Sequence, residues 1–149
     1  MQSIEKEAVI AQEYLARIAK EAEAKFDEHL PPVEDRPCRL HEAMRYSMFA
    51  GGKRLRPGLV KATFDMFGGK GDSVWYATSA LEMLHTFSLI HDDLPCVDND
   101  DYRRGKLTSH KKFGEATAVM AGDALCVQAF ELIAKTGNAR AIETLAHLL

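Results

Sequence analysis

The sequence predicts an all-α protein. Three observations carry that expectation. Apolar residues recur at helical spacing, no sustained apolar–polar alternation marks a strand, and glycines and prolines fall between the helical stretches. At 149 residues and 46% hydrophobic, the chain can bury one core. Its 22 acidic and 19 basic residues leave a net charge of −3, which disfavours a nucleic-acid module, as does the single Trp. No apolar run reaches the ~18 residues of a transmembrane helix, and early charges such as Glu5, Lys6 and Arg17 exclude a signal-peptide core. Membrane insertion is therefore not expected. Cys38, Cys96 and Cys126 form no CxxC and no zinc pattern, so they read as free thiols in a reducing, cytoplasmic setting.

The elements follow in order. Residues 3 to 29 place Ile4, Ala8, Ala11, Leu15, Ile18, Ala22 and Phe26 on one stripe, with Ser3 as cap and Glu5 and Glu7 in the first turn. Pro31 and Pro32 end this helix, because a residue before proline leaves helical geometry. A second helix spans about 39 to 50, with Leu40, Met44 and Ser47/Met48 on one side, and stops at Gly51 and Gly52. Pro57 suits the first turn of a third, which ends by Gly68 and Gly69. Asp72 or Ser73 caps a long apolar helix to residue 93, and Pro95 closes it. Residues 96 to 107 read as polar loop, and Thr108 caps one short turn before Gly114. A helix over 115 to 135 is rich in Ala116, Ala118, Ala121, Gly122 and Ala124, which permit close backbone approach, and Gly137 stops it. A last helix begins at 138 with Ile142, Leu145 and Leu149 on a stripe. The chain finishes on an uncapped apolar turn, so it is expected to be the N-terminal part of a longer protein. The Met44/Met48 and Phe64/Phe67 pairs read as core.

Four constellations carry possible chemistry. Asp92, Asp93, Asp98, Asp100 and Asp101 crowd ten residues, and like charges so close need a positive partner. Hard carboxylate oxygens at the exit of an apolar helix suit Mg²⁺, which takes one or two carboxylates and completes its shell with water and phosphate oxygens. A solvated acidic loop is the plainer alternative. Gly51-Gly52-Lys53-Arg54-Leu55-Arg56-Pro57 sets three cations at a helix mouth, where phosphate is attracted, although no Walker A order is present. Read alone, it is better explained as a basic turn that neutralises nearby acids. Arg103-Arg104-Gly105-Lys106 follows the acids, either to pair with Asp100 and Asp101 or to grip diphosphate oxygens with guanidinium forks. His85 stands seven residues before Asp92, on the same helix face about 10 Å away, as a candidate neutral donor or a satisfied core histidine. His91 points about 100° away from that face and is not read as a ligand.

Taken together, these segments resemble the trans-prenyltransferases, the short-chain isoprenyl diphosphate synthases. The resemblance runs from about residue 40 to 132. It includes Glu42 through Ser47, Gly51 through Pro57, Ser88 through Pro95, Asp98 through Gly105, Lys112 through Glu115 and Ala121 through Leu125. Bacterial farnesyl diphosphate synthases are the nearest in pattern, with geranylgeranyl diphosphate synthases beside them. The resemblance implies an isoprenoid-synthase-type bundle of antiparallel helices, here apparently truncated, with residues 1–149 as the N-terminal part of one all-α domain. It implies a homodimer that condenses isopentenyl diphosphate with an allylic diphosphate in the presence of Mg²⁺. On this basis Asp92 and Asp98 would hold the magnesium ions at the allylic diphosphate, with Asp93 in support. Arg103 would bind that diphosphate, and Lys53, Arg56, His85 and Arg104 would bind isopentenyl diphosphate. Phe87 and Ser88, five and four residues before Asp92, would set product length, with the aromatic favouring a C15 product.

The family's second Asp-rich motif lies outside these residues, so the isolated chain is not expected to turn over. A class I terpene cyclase also uses an acidic metal motif, but needs no isopentenyl site and leaves the basic segments unexplained. A non-catalytic subunit or fragment of a synthase is the rival from another class, against which the retained metal and phosphate residues argue.

Overall fold

The computed structural model describes residues 2–148, with side chains described from Glu5. The expected cap Ser3 and the stripe positions Ile4 and Leu149 lie outside the described side chains. Among the described residues the fold is helical apart from one small hairpin. Helices α1 (Gln2–His29), α2 (Cys38–Met48), α3 (Leu55–Met66) and α4 (Ser73–Asp92) precede strands β1 (Tyr102–Arg103) and β2 (Lys106–Leu107). Helices α5 (Ser109–Phe113), α6 (Glu115–Ala134) and α7 (Ala139–Ala146) follow.

Helix α4 is the axis of the bundle. Val74, Trp75, Thr78, Ala80, Met83, Leu84 and Ile90 are all buried, so it is enclosed on more than one face. It packs most extensively on α6, through the small-residue face Ala118, Ala121, Gly122 and Leu125. The approach is closest at Gly122, where a Cβ would sit 2.3 Å from Nε2 of His91. By length and composition α6 alone, among the described residues, could cross a membrane. Its apolar run is interrupted by Asp123 and Glu131, and its buried face is spent on α4.

Helix α1 lies on α3 and α4 through Ile18, Ala22 and Phe26, which are fully buried. The stripe expected from its start is half-buried at Leu15 and buried from Ile18 onward. Every described side chain from Glu5 to Glu13 is exposed, including Ala8 and Ala11. Helix α3 comes so close at Gly58 that a Cβ there would sit 2.3 Å from Cδ2 of Leu15. Phe67, expected in the core, is 80% exposed. The helix ends at Met66, so Phe67 leaves the stripe, while Phe64 folds back over Gly69 instead.

Boundaries match expectation more closely than caps do. Asp72 and Thr108 stand at the start of α4 and α5, yet neither side chain makes the capping bond. Thr108 turns its hydroxyl to the Asp100 carbonyl at 2.8 Å. Asn138 does cap α7, accepting from the Ala141 amide at 3.2 Å. The expected polar loop over 96–107 contains the antiparallel β1–β2 hairpin, in which Tyr102 faces Leu107 and Arg103 faces Lys106. Arg104 and Gly105 form its turn, both at positive φ (52° and 76°). That is the two-residue turn whose twist matches antiparallel strands.

Candidate active site

The end of α4 places the acidic residues. Asp92 is its last residue and is exposed, while Asp93 is 3% exposed. The chain then turns back, and the Asp98 amide donates to the Asp92 carbonyl at 2.9 Å. This closes the loop and leaves the Asp92 and Asp98 carboxylates both exposed. Asp93 is committed elsewhere. Arg103 donates to both of its oxygens, from Nε at 2.9 Å to each and from Nη2 at 2.7 Å to Oδ1. Its hydrogen bonds to Asp93 hold the Arg103 guanidinium above its usual pKa. Of the alternative pairings of the arginines with Asp100 and Asp101, only a long ion pair between Arg103 and Asp100 is found, while the guanidinium fork goes to Asp93. Asp100 is 4.0 Å from Arg103, and Asp101 pairs with Lys111 at 2.7 Å.

The hairpin carries Arg103 and Arg104 to different partners. It is fastened to the end of α2, where Tyr46 Oη donates to the Leu107 carbonyl at 2.8 Å and Lys106 Nζ to the Phe49 carbonyl at 3.3 Å. Arg104 crosses to the Gly51–Gly52 segment and donates to the Gly51 carbonyl. Gly52 has φ +136°, and a Cβ there would lie 2.7 Å from Arg104 Nη1, so only glycine admits this crossing.

Arg104 thereby joins Gly51, Gly52, Lys53, Arg56 and His85 around an open cleft of about 550 Å³. Lys53 and Arg56 are exposed, whereas Arg54, between them, is buried. His85 lies on the cleft wall one helical turn beyond Glu82. Its pKa is pushed down to about 4, first by burial and then by Arg56, Arg104, Arg103 and Arg54. The imidazole is therefore neutral near pH 7 and can donate without adding charge. Burial, and then Arg54, also lower the pKa of Arg104.

Ser88, one turn beyond His85, lines a neighbouring cavity of about 300 Å³ with Arg56, Leu81, Leu84 and Leu148. Phe87 turns away from it and packs edge-on against His91, with ring centroids 4.7 Å apart. His91 in turn contacts the Val119 carbonyl of α6 at 3.1 Å.

The low pKa of His85 has a measurable consequence. Its folded value lies below the unfolded 6.5, so the unfolded chain takes up a proton first as pH falls. Stability is therefore lost between the two values, and His29, whose pKa is also lowered by burial, contributes with the same sign. Urea midpoints taken between about pH 7 and about pH 5 should fall less steeply for His85→Gln than for the parent chain. Parallel slopes would show that His85 protonates freely.

Among the described residues, no three His, Cys, Asp or Glu side chains converge on one metal position. The exposed Asp92 and Asp98 carboxylates fit a different demand, that of Mg²⁺ bound by two carboxylates and completed by substrate phosphate. Sequence reasoning grouped Arg54 with the phosphate-attracting cations and assigned no role to Glu82. The signal for Glu82 was a lone charge within Ala80-Leu81-Glu82-Met83-Leu84, which a helix this apolar keeps only with a partner.

Comparison with known proteins gives the family and the fold. The polyprenyl synthetase family model matches residues 37–149. A farnesyl diphosphate synthase from Micrococcus luteus is 62% identical over 98 residues, 66% of this chain and 34% of the relative. The large subunit 1 of a heterodimeric chloroplastic geranylgeranyl pyrophosphate synthase from Arabidopsis thaliana is 60% identical over 98 residues, 66% of this chain and 26% of the relative. Among solved structures, an FPP/GFPP synthase from Zymomonas mobilis superposes with a TM-score of 0.82 at 44% identity, covering 95% of this chain and 51% of that one. A geranyltranstransferase from Thermotoga maritima gives 0.80 at 38% identity, covering 91% and 50%. The chain thus spans about a third of the first curated relative and about half of the solved chains. It belongs to the polyprenyl synthetase family, with the all-α fold of the isoprenoid synthases.

Proposed function

We propose that the protein containing this chain is a prenyltransferase that condenses isopentenyl diphosphate with an allylic diphosphate to give farnesyl diphosphate. The observation that carries this reading is the pairing of two unlike anion sites through one hairpin. Lys53, Arg56, Arg104 and neutral His85 surround a cationic cleft, while Arg103 is held by Asp93, the sequence neighbour of the exposed Asp92. The names of the relatives support the same assignment.

In this reading Lys53 and Arg56 bind the isopentenyl diphosphate and His85 donates to it. Asp92 and Asp98 hold Mg²⁺, which when bound neutralises charge on the allylic diphosphate. Arg103, kept in place by Asp93, takes charge that grows on that diphosphate as the allylic C–O bond breaks. The isopentenyl double bond attacks the resulting allylic cation, and the departed diphosphate accepts the proton then lost. Phe87 and Ser88 are read as the product-length determinants and favour a C15 product; of the two, Ser88 lines the cavity, while Phe87 packs on His91 outside it. The geranylgeranyl relatives keep a C20 product as the second reading. The exposed Val119, Met120 and Val127 of α6 suit a homodimer, and the free thiols suit the cytoplasm.

Inorganic diphosphate binding to the chain, followed by calorimetry with and without Mg²⁺, tests the site. Lys53→Ala and Arg56→Ala should each weaken binding about ten-fold, the loss of one charge-assisted contact. Asp92→Asn should remove the part of the affinity that depends on Mg²⁺. Unchanged affinity in all three variants would overturn the assignment.

A further inference from the structure

The three cations of Gly-Gly-Lys-Arg-Leu-Arg-Pro are not equivalent. Lys53 and Arg56 are exposed to the cleft, but the Arg54 side chain is only 2% exposed. Each of its guanidinium nitrogens is already taken. Nε donates to Glu23 at 3.3 Å, Nη1 to Glu82 at 3.3 Å, and Nη2 to the Met48 carbonyl at 2.7 Å and to Glu23 at 3.3 Å. The group also lies 5.4 Å over the Phe26 ring. One side chain thus ties α1, the end of α2 and α4 to the start of α3. Its own backbone is left-handed (φ 48°, ψ 36°), an unfavourable state for arginine that needs such anchorage.

We propose that Arg54 is a positioning residue: clamped by Glu82 and Glu23, it fixes the turn that presents Lys53 and Arg56 to the diphosphate and does not touch the diphosphate itself. Glu82 is its buried counter-ion, 5% exposed, at the base of the same cleft. The proposal rests on the cleft being a diphosphate site.

Glu82 gives a test whose sign separates the two roles. A carboxylate lining an anion cleft repels the anion, so on Coulombic grounds Glu82→Gln should tighten diphosphate binding. As half of a clamp, its loss should instead loosen residues 51–56 and weaken binding. The measurement is calorimetry of inorganic diphosphate on the 149-residue chain, with amide hydrogen exchange on the same samples. The expected result for Glu82→Gln is about ten-fold weaker binding, as for a misplaced contact. Exchange should be faster across residues 51–56 and unchanged in α6. Equal or tighter binding with unchanged exchange would overturn the proposal. If Glu82→Gln does not fold, Arg54→Lys decides, because it keeps the charge and loses the fork. About ten-fold weaker binding then supports the clamp, and parental affinity overturns it. Failure of the parent chain to bind diphosphate would overturn the site assignment instead. The exchange at residues 51–56 would then decide the clamp alone.

Discussion

Arg103→Met is expected to destabilise the chain by about 3 kcal/mol, because it leaves the buried Asp93 carboxylate without its guanidinium partner. The adjacent Asp92 provides the contrast. It is exposed, so Asp92→Asn should change stability by less than about 0.5 kcal/mol while removing Mg²⁺-dependent diphosphate binding. Urea unfolding of the two variants beside the parent chain reads both effects. Small and equal losses would mean that the fork to Asp93 does not persist in solution. Two aspartates adjacent in sequence thus serve different ends. One is a fixed anchor for an arginine, and the other is exposed and, in the proposed reading, is the oxygen donor to Mg²⁺.

Phe26→Ala is expected to cost about 4 kcal/mol, the range for a large buried aromatic that leaves a cavity. Phe26 is fully buried near the end of α1, and the Arg54 guanidinium rests on its ring. Its removal takes away both the packing of α1 and the support beneath the clamp. Leu59→Ala, on the exposed face of α3, is the control and should cost less than about 0.5 kcal/mol. A loss at Phe26 no greater than at Leu59 would show that α1 does not pack as described.

Much of the fold was legible because its boundaries are made by residues with strong local preferences. Pro31 and Pro32 close α1, Gly68 and Gly69 follow α3, and Gly137 follows α6. What was not legible depends on partners distant in sequence. Asp72 and Thr108 occupy cap positions without making cap bonds, since Thr108 is drawn to Asp100. The strands of the hairpin have two residues each, too few for alternation to register. Within the site, the exposed Lys53, Arg56, Asp92 and Asp98 were readable from spacing and from the family pattern. Burial is what distinguishes Arg54 from Lys53 and Asp93 from Asp92, and burial is set by contacts 28 residues away for Glu82 and Arg54 and 10 for Asp93 and Arg103. Phe67 failed for the complementary reason: the helix ended one residue earlier than its stripe.

The hairpin fixes more than two side chains. Arg103 turns to Asp93 and Arg104 to the more distant Gly51, and no residue separates the two arginines. Inserting or deleting a single residue here would rotate each arginine onto the other's side and cancel both attachments together. Chain length in this stretch is therefore itself a specification, as strict as the identity of either arginine. The exposed stretch from Glu5 to Glu13 takes no part in either arginine's attachment, so a tag or fused partner joined ahead of it is expected to leave the cleft undisturbed.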